Sequence, residues 1–240
     1  MTAIRGRETV LRSGLVTAVA VVLNAIVLNV GLQTTLAAAD TGGGSFTIAR
    51  VHYDGGGDWY SDPSSLPNLL RFIGKNTRIE VATAEARVRI TDEDFFSYPY
   101  SYLTGHGNIA FSPEEVTRLR RYLEGGGFLH ADDNYGMDES FRREMKRVFP
   151  KKSLVELPAD HGLFRCHFDL PAGLPKIHAH DGSRPQALGL FDNDRLMVLY
   201  TYESDLGDGW EDPDVHDDPE AKRRAALEAG TNIVVWALTH

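Results

Sequence analysis

Residues 98–150, YPYSYLTGHGNIAFSPEEVTRLRRYLEGGGFLHADDNYGMDESFRREMKRVFP, read as strand, helix, strand, helix. The first strand, Tyr98 to Leu103, runs into Thr104-Gly105-His106-Gly107. Ser112-Pro113-Glu114-Glu115 then opens a helix: Ser112 suits the N-cap, Pro113 the first helical position, and Glu115 completes a capping box. Val116, Leu119 and Leu123 form its apolar stripe, and Gly125-Gly126-Gly127 stops it. The second strand, Phe128 to Ala131, runs into Asp132-Asp133-Asn134. Asp138 is expected to cap the next helix, with Phe141, Met145, Val148 and Phe149 inward and Pro150 at its end. In an open parallel sheet the ends of both strands fall on one edge, where such folds hold ligands.

The flanking sequence extends this pattern. Phe46 to Tyr53 reads as a strand entering the glycine-rich turn Asp54-Gly55-Gly56-Gly57-Asp58-Trp59. A helix is expected over Ser65 to Gly74, with Leu66, Leu69, Leu70 and Ile73 on one face. Arg78 to Ala82 alternates like a strand. Leu188 to Phe191 and Arg195 to Tyr200 flank Asp192-Asn193-Asp194 as a hairpin. Gly207 to Asp218 reads as an acidic loop around Trp210, and a last helix runs from near Pro219 towards His240. Alternating strands and helices predict a three-layer α/β sandwich with a mainly parallel central sheet, flavodoxin-like or amidotransferase-like, with antiparallel strands added by the late hairpin.

The chain has 240 residues, of which 42% are hydrophobic and 25% charged, and a formal net charge of -9. Arg5, Arg7 and Arg12 precede a charge-free run from Ser13 to Ala39 that closes on Ala37-Ala38-Ala39. A basic start, an apolar heart and a small-residue end describe a signal peptide over residues 1–39. The apolar run is also long enough for an uncleaved anchor over residues 13–39. Residues 40–45, with three glycines, read as a linker, and residues 46–240 as a single domain. Loss of residues 1–39 removes three Arg and one Glu and leaves a net charge of -11. So acidic a domain is a poor match for nucleic acid, whose phosphates need clustered Lys and Arg. Cys166 is the only cysteine, so no intrachain disulfide forms.

Several residue groups can carry chemistry. Asp132 and Asp133 are adjacent carboxylates at a strand end, suited to a metal or to acid–base work, or else to a capped turn. His130 precedes them on the same strand and is a further metal candidate. Thr104-Gly105-His106-Gly107 surrounds a histidine with glycines that free backbone N–H groups, or simply permit a tight turn. His161, in Asp160-His161-Gly162-Leu163-Phe164, joins the carboxylates only if its loop folds over the strand ends. His178-Ala179-His180-Asp181 would present two histidines on one face of a strand, but in a loop they would merely be exposed. Asp205-Leu206-Gly207-Asp208-Gly209-Trp210-Glu211-Asp212 has the charge of a calcium loop without its ligand pattern. Trp210 there suits either stacking on a sugar or packing the loop down. Cys166 lies in Leu163-Phe164-Arg165-Cys166-His167-Phe168, which alternates like a strand and turns His167 away from the thiol. Dinucleotide, Walker and G-x-S-x-G motifs are absent.

From Phe46 to His240 the chain resembles the domain-of-unknown-function 4159 family. The match is carried by Tyr53-Asp54-Gly55-Gly56-Gly57-Asp58-Trp59-Tyr60, Thr104-Gly105-His106-Gly107, Gly126-Gly127-Phe128-Leu129-His130-Ala131-Asp132-Asp133, Asp160-His161-Gly162-Leu163-Phe164, Asp205-Leu206-Gly207-Asp208-Gly209-Trp210-Glu211 and Gly230 to Thr239. The resemblance implies a class I glutamine-amidotransferase-like fold in exported or membrane-associated bacterial proteins, and no established activity. In true amidotransferases a cysteine sits on the turn after a central strand; the matching turn here is Ala131-Asp132-Asp133-Asn134. The expected function is a ligand-binding or envelope-assembly domain on that scaffold. The alternative is an aspartate- and histidine-dependent hydrolase that admits a divalent metal, with Asp132, Asp133, His106 and His161 as catalytic candidates. Gly55, Gly56, Gly105, His106, Gly107, Asp132 and Asp133 are the expected ligand-binding residues. Expected partners are a small molecule or an envelope protein, with membrane contact only through an uncleaved N-terminus.

The expected location is periplasmic or extracellular, with the inner membrane as anchor if residues 13–39 are retained. Expressed with its full N-terminus in a bacterium, the protein should leave the cytoplasm, and N-terminal sequencing should begin near Asp40. A soluble cytoplasmic product still starting at Met1 would rule out export.

Overall fold

Seven strands form one sheet in the order β2-β1-β3-β4-β7-β6-β5. They are β1 (Ala49–Val51), β2 (Ala86–Val88), β3 (Tyr100–Leu103), β4 (Phe128–Asp132), β5 (Val155–Glu156), β6 (Gln186–Asp192) and β7 (Arg195–Tyr202). The computed structural model describes residues 44–180 and 182–240. The expected signal or anchor segment, the linker up to residue 43 and Asp181 lie outside the described residues. No helix among the described residues is long and apolar enough to cross a membrane.

The strands β2, β1, β3, β4 and β7 are mutually parallel, and β5 and β6 add antiparallel pairs beyond β7. The expected late hairpin is thus β6–β7, with β7 inserted beside β4 through the pairs Leu129–Val198 to Asp132–Thr201. One face of the sheet is covered by α1 (Ser65–Asn76) and α6 (Glu220–Thr239), where Leu66, Leu69 and Ile73 meet Trp210 and Ile233. The other is covered by α2 (Pro113–Glu124) and α3 (Asp138–Val148), where Leu119, Leu123 and Phe141 meet Leu129 and Tyr200. Two short helices, α4 (Leu206–Trp210) and α5 (Pro213–His216), follow β7.

β1 leads outward to β2, and β3 leads the other way to β4. The loops after β1 and β3 therefore diverge from neighbouring strands, the arrangement that opens a crevice at the strand ends. The two loops clasp one another. Gly57 N–H donates to the Asn108 carbonyl at 3.0 Å, and the Asn108 side chain donates to the Gly55 carbonyl at 3.0 Å. Gly105 has φ +132° and packs where a Cβ would lie 2.9 Å from the Asp58 carbonyl, so the glycine is needed both for its torsion and for the contact.

Some local expectations shift. The second strand is Ala86–Val88 and not Arg78 to Ala82, where only Val81 bridges to Phe46. Alternation shows that a segment has an inner and an outer side, but not which segment wins the strand partner. Asp138 is the first helical residue rather than the cap, and its carboxylate takes the Arg142 Nε at 2.7 Å. The segment around Cys166 is a tight turn over Gly162–Arg165, not a strand, and the half-buried thiol lies near the carbonyls of Leu163 and Asn232. Residues expected as an acidic loop form α4 and α5, and Trp210 is fully buried with its Nε1–H on the Ala226 carbonyl at 2.8 Å.

The capping box forms as the sequence implies: Ser112 Oγ accepts from Glu115 N–H at 3.2 Å, and Glu115 accepts from Ser112 N–H at 2.7 Å. Ser112→Ala should cost about 1 kcal/mol in chemical denaturation. An unchanged midpoint would mean that packing of α2, not its cap, holds this end of the helix.

Candidate functional site

Three chain segments bring carboxylates to the C-terminal edge of the parallel strands. Asp62 comes from the loop after β1, Asp132 ends β4, and Asp205 and Asp208 follow β7. His178, His180 and His216 surround them from the outside.

Asp132 is fully buried and saturated with donors. Its Oδ1 accepts from the Thr201 hydroxyl and from Leu206 N–H at 3.3 Å. Its Oδ2 accepts from Gly207 N–H at 2.6 Å and from the Tyr102 hydroxyl at 3.2 Å. Burial nevertheless outweighs these donors and pushes its carboxyl up to about 7. A Cβ on Gly207 would lie 2.8 Å from Asp62 Oδ2 and 3.3 Å from Asp132 Oδ2, so only glycine lets this turn pass between the two carboxylates.

Asp62 and Asp205 both adopt left-handed backbone, with φ of +54° and +63°. Each is held well above the usual carboxylate range by burial first and by neighbouring carboxylates second, and each contacts the Asp208 carboxylate. Asn134 Nδ2 donates to Asp62 Oδ1 and Oδ2 at 3.3 and 3.2 Å. His178 is surrounded. Its Nδ1 lies 2.8 Å from Asp208 Oδ2 and 3.0 Å from Asp205 Oδ2, and its Nε2 lies 2.9 Å from Asp218 Oδ2. A neutral imidazole has one N–H, too few for three carboxylate contacts. His180 Nε2 lies 2.9 Å from Asp205 Oδ2, and His216 Nε2 lies 3.6 Å from Asp208 Oδ1. One ligand atom each from His178, Asp208 and His216 can be chosen within 4.8 Å of one another, which is a metal-holding geometry.

The residues singled out from sequence are distributed unevenly around this edge. Asp132 joins the carboxylates. Asp133 turns to the α2–α3 side, towards Tyr200, Asp138 and Glu203, because successive residues of a strand alternate faces. The two aspartates therefore do not share one site. His130 lies inside the sheet layer, between the Tyr100 hydroxyl at 2.8 Å and the Thr201 hydroxyl at 3.0 Å, and burial drops it to about 3. His106 sits on the exposed rim and pairs with Asp58, its Nδ1 3.1 Å from Asp58 Oδ2. Gly55, Gly56, Gly105 and Gly107 belong to the clasped loops beside it. His161 packs against Trp236, with ring centroids 5.0 Å apart and planes tilted by 54°. Trp236 lies ten residues beyond Ala226, the partner of Trp210, and so about 15 Å further along α6. His161 thus does not join the strand-end carboxylates.

Asp62, Asp208, His216 and Asp218 escaped the sequence reading. The signal for Asp208 was present in the Asp205-to-Asp212 charge run, and that for His178 in H-x-H. Neither segment has strand periodicity, so neither announced that it would fold onto the other.

Buried Asp132 makes a pH signature. A carboxyl raised in the folded state keeps its proton while the unfolded chain releases it, so stability falls as pH rises from about 4 through about 7. The protein should lose melting temperature across that window. Asp132→Asn should be less stable at pH 5, having lost an acceptor for Gly207 N–H, yet show a flatter profile. An equally steep profile in the variant would assign the effect to another group.

A family model described as domain of unknown function (DUF4159) matches residues 47–238. No curated protein matches the chain.

Proposed function

The chain belongs to the DUF4159 family, and on that footing we propose that its acidic strand edge binds a divalent metal ion and performs metal-assisted hydrolysis. One observation carries the reading: His178, Asp208 and His216 come from three separate segments and converge on one point. Nitrogen and oxygen donors without thiolate suit a borderline ion such as Zn2+, Ni2+ or Mn2+. Held by these three side chains, such an ion would supply an activated water for hydrolysis.

The chain's own groups have complementary roles. Asp218 holds His178 Nε2 and leaves Nδ1 facing Asp208, the carboxylate–histidine arrangement that orients metal ligands. Burial, with neighbouring carboxylates second, favours the protonated form of Asp62 and suits it to give a proton to a leaving group, while the fully buried Asp205 orients His178 and His180. Asp132 positions α4 and with it Asp208, and takes no direct part, because its oxygens are spent on four donors. Glutaminase chemistry finds no support: the sole cysteine, Cys166, lies near Leu163 and Asn232, away from the turn after β4. An exported setting, from the N-terminal run, is part of the proposal, as is the substrate's being a small molecule or an envelope component.

A second reading, a ligand-binding or envelope-assembly domain, is favoured by the donor-saturated carboxylate where an amidotransferase carries its nucleophile. It keeps the metal as an anchor for ligand without turnover.

Calorimetric titration of the stripped protein with Zn2+ should show binding that weakens at least tenfold in His216→Ala and in Asp208→Asn. Cys166→Ala should bind as the wild type does. Affinity should fall at acid pH, because protons compete with the ion for its ligands. Absence of any heat or melting shift with millimolar Zn2+, Ni2+ or Mn2+ would end the metal reading.

A further inference from the structure

A cleft of about 250 Å3 lies between α1, α6 and the start of α5, and none of the strand-end carboxylates lines it. α1 contributes a stripe of Asn68, Arg71, Phe72 and Lys75, at the i, i+3, i+4 and i+7 spacing that brings side chains to one helix face. Arg223 and Leu227, four residues apart, line it from α6, and Asp212 and Pro213 complete it.

The charge in this cleft opposes that of the chain. The formal net charge is -9, yet three cations meet here, and among the described residues Arg71, Lys75 and Arg223 form no ion pair. Neighbouring cations on α6 do find partners: Lys222 pairs with Asp218 at 2.9 Å, and Arg224 with Glu228 at 2.9 Å. The lining carboxylate, Asp212, instead accepts from Asn68 Nδ2 at 2.9 Å.

Both guanidiniums are held in place from within the protein. Asn68 is buried, and its Oδ1 accepts from Arg71 Nη1 at 2.7 Å. The Asn68 amide is itself fixed, because Nδ2 also donates to the Trp210 carbonyl at 2.9 Å. Arg223 Nη2 donates to the Glu211 carbonyl. A guanidinium has five N–H donors, so each keeps a free side for a ligand, and orienting it in advance lowers the entropy lost on binding. Beside the charges, Phe72, Leu227 and Pro213 supply apolar surface, and Phe72 is backed by Phe168 with ring centroids 5.9 Å apart.

We infer that this cleft binds a small phosphate monoester with an apolar substituent. Three cations and one carboxylate leave two positive charges, which match the roughly -2 of a phosphate monoester and exceed the single charge of a carboxylate ligand. Arginine forks take phosphate oxygens in pairs, and the lysine adds a point charge. The substituent then lies on Phe72 and Leu227. Pockets for drug-sized ligands run from about 300 to 1,000 Å3, so this cleft suits a phosphate with one ring or a short chain. The site is separate from the acidic strand edge, and the inference does not depend on a metal there.

The full chain, treated with chelator, is titrated calorimetrically with phenyl phosphate, inorganic phosphate and benzoate. Phenyl phosphate should bind saturably and weaken with added salt, and each of the other two should bind about tenfold more weakly. Arg71→Gln and Arg223→Gln should each weaken phenyl phosphate about tenfold. Lys75→Gln should weaken it too, and because Lys75 Nζ has no protein partner this variant keeps the test valid if an arginine variant fails to fold. Arg224→Gln, which removes one positive charge outside the cleft, should bind as the wild type does. Vesicles of phosphatidylcholine with and without phosphatidic acid separate the two sources of the ester: excess binding to phosphatidic acid that is lost in Lys75→Gln assigns the site to a lipid headgroup, and saturable phenyl phosphate binding without that excess assigns it to a free ester. No saturable binding of either kind would overturn the inference. So would affinity unchanged in all three cleft variants, or an equal loss in Arg224→Gln, which would reduce the effect to overall charge. Equal affinity for phenyl and inorganic phosphate would overturn the apolar half of the site.

Discussion

A single carboxylate without access to water organises the strand-end edge of this protein. Asp132 belongs to β4, yet its donors are the Tyr102 hydroxyl of β3, the Thr201 hydroxyl of β7 and two N–H groups at the start of α4. The N–H groups that open a helix lack intrahelical partners and carry partial positive charge, so buried carboxyl oxygens there satisfy both parties. α4 is only five residues long and has little stability of its own. Docked on Asp132 it places Asp208 among the histidines, and its Trp210 plugs the layer between β3 and α6. The acidic cluster is therefore built outward from a group that does not itself need to react.

Behind Asp132 the same face of the sheet continues as a dry polar chain. Thr201 links Asp132 to His130, and His130 links onward to Tyr100. Burial keeps His130 neutral, so the chain carries hydrogen bonds without adding charge. Such an arrangement stiffens β3, β4 and β7 against relative sliding. A rigid sheet edge is what lets the segments after β1 and β7 hold carboxylates close together, since the repulsion among them has to be opposed by something that does not yield.

Much of the fold was legible because it rests on local chemistry. The capping box at Ser112, the apolar stripe of α2 and the glycine run before Phe128 each signal their own structure within a few residues. The β-α-β unit follows from them, as does the late hairpin from its Asp192-Asn193-Asp194 turn. The site was legible only in part. Asp132 stands at a strand end, where a placement rule finds it. His178 and His216 stand in segments without periodicity, and Asp62 in a turn that looks like any other.

By itself the sequence determined the α/β class, the parallel β3–β4 pairing and the edge on which polar residues gather, because these depend on periodicity, caps and turns that act over a few residues. Tertiary structure alone decided which side of the sheet each carboxylate serves. It sent Asp133 to the α2–α3 side, left His161 at the far end of α6 and His106 on an exposed rim, and drew Asp62, Asp205, Asp208 and His178 together across more than a hundred residues of chain. The physical reason is that a cluster of like charges has no local propensity. It exists only where packing elsewhere is strong enough to hold it, and that strength is a property of the assembled core.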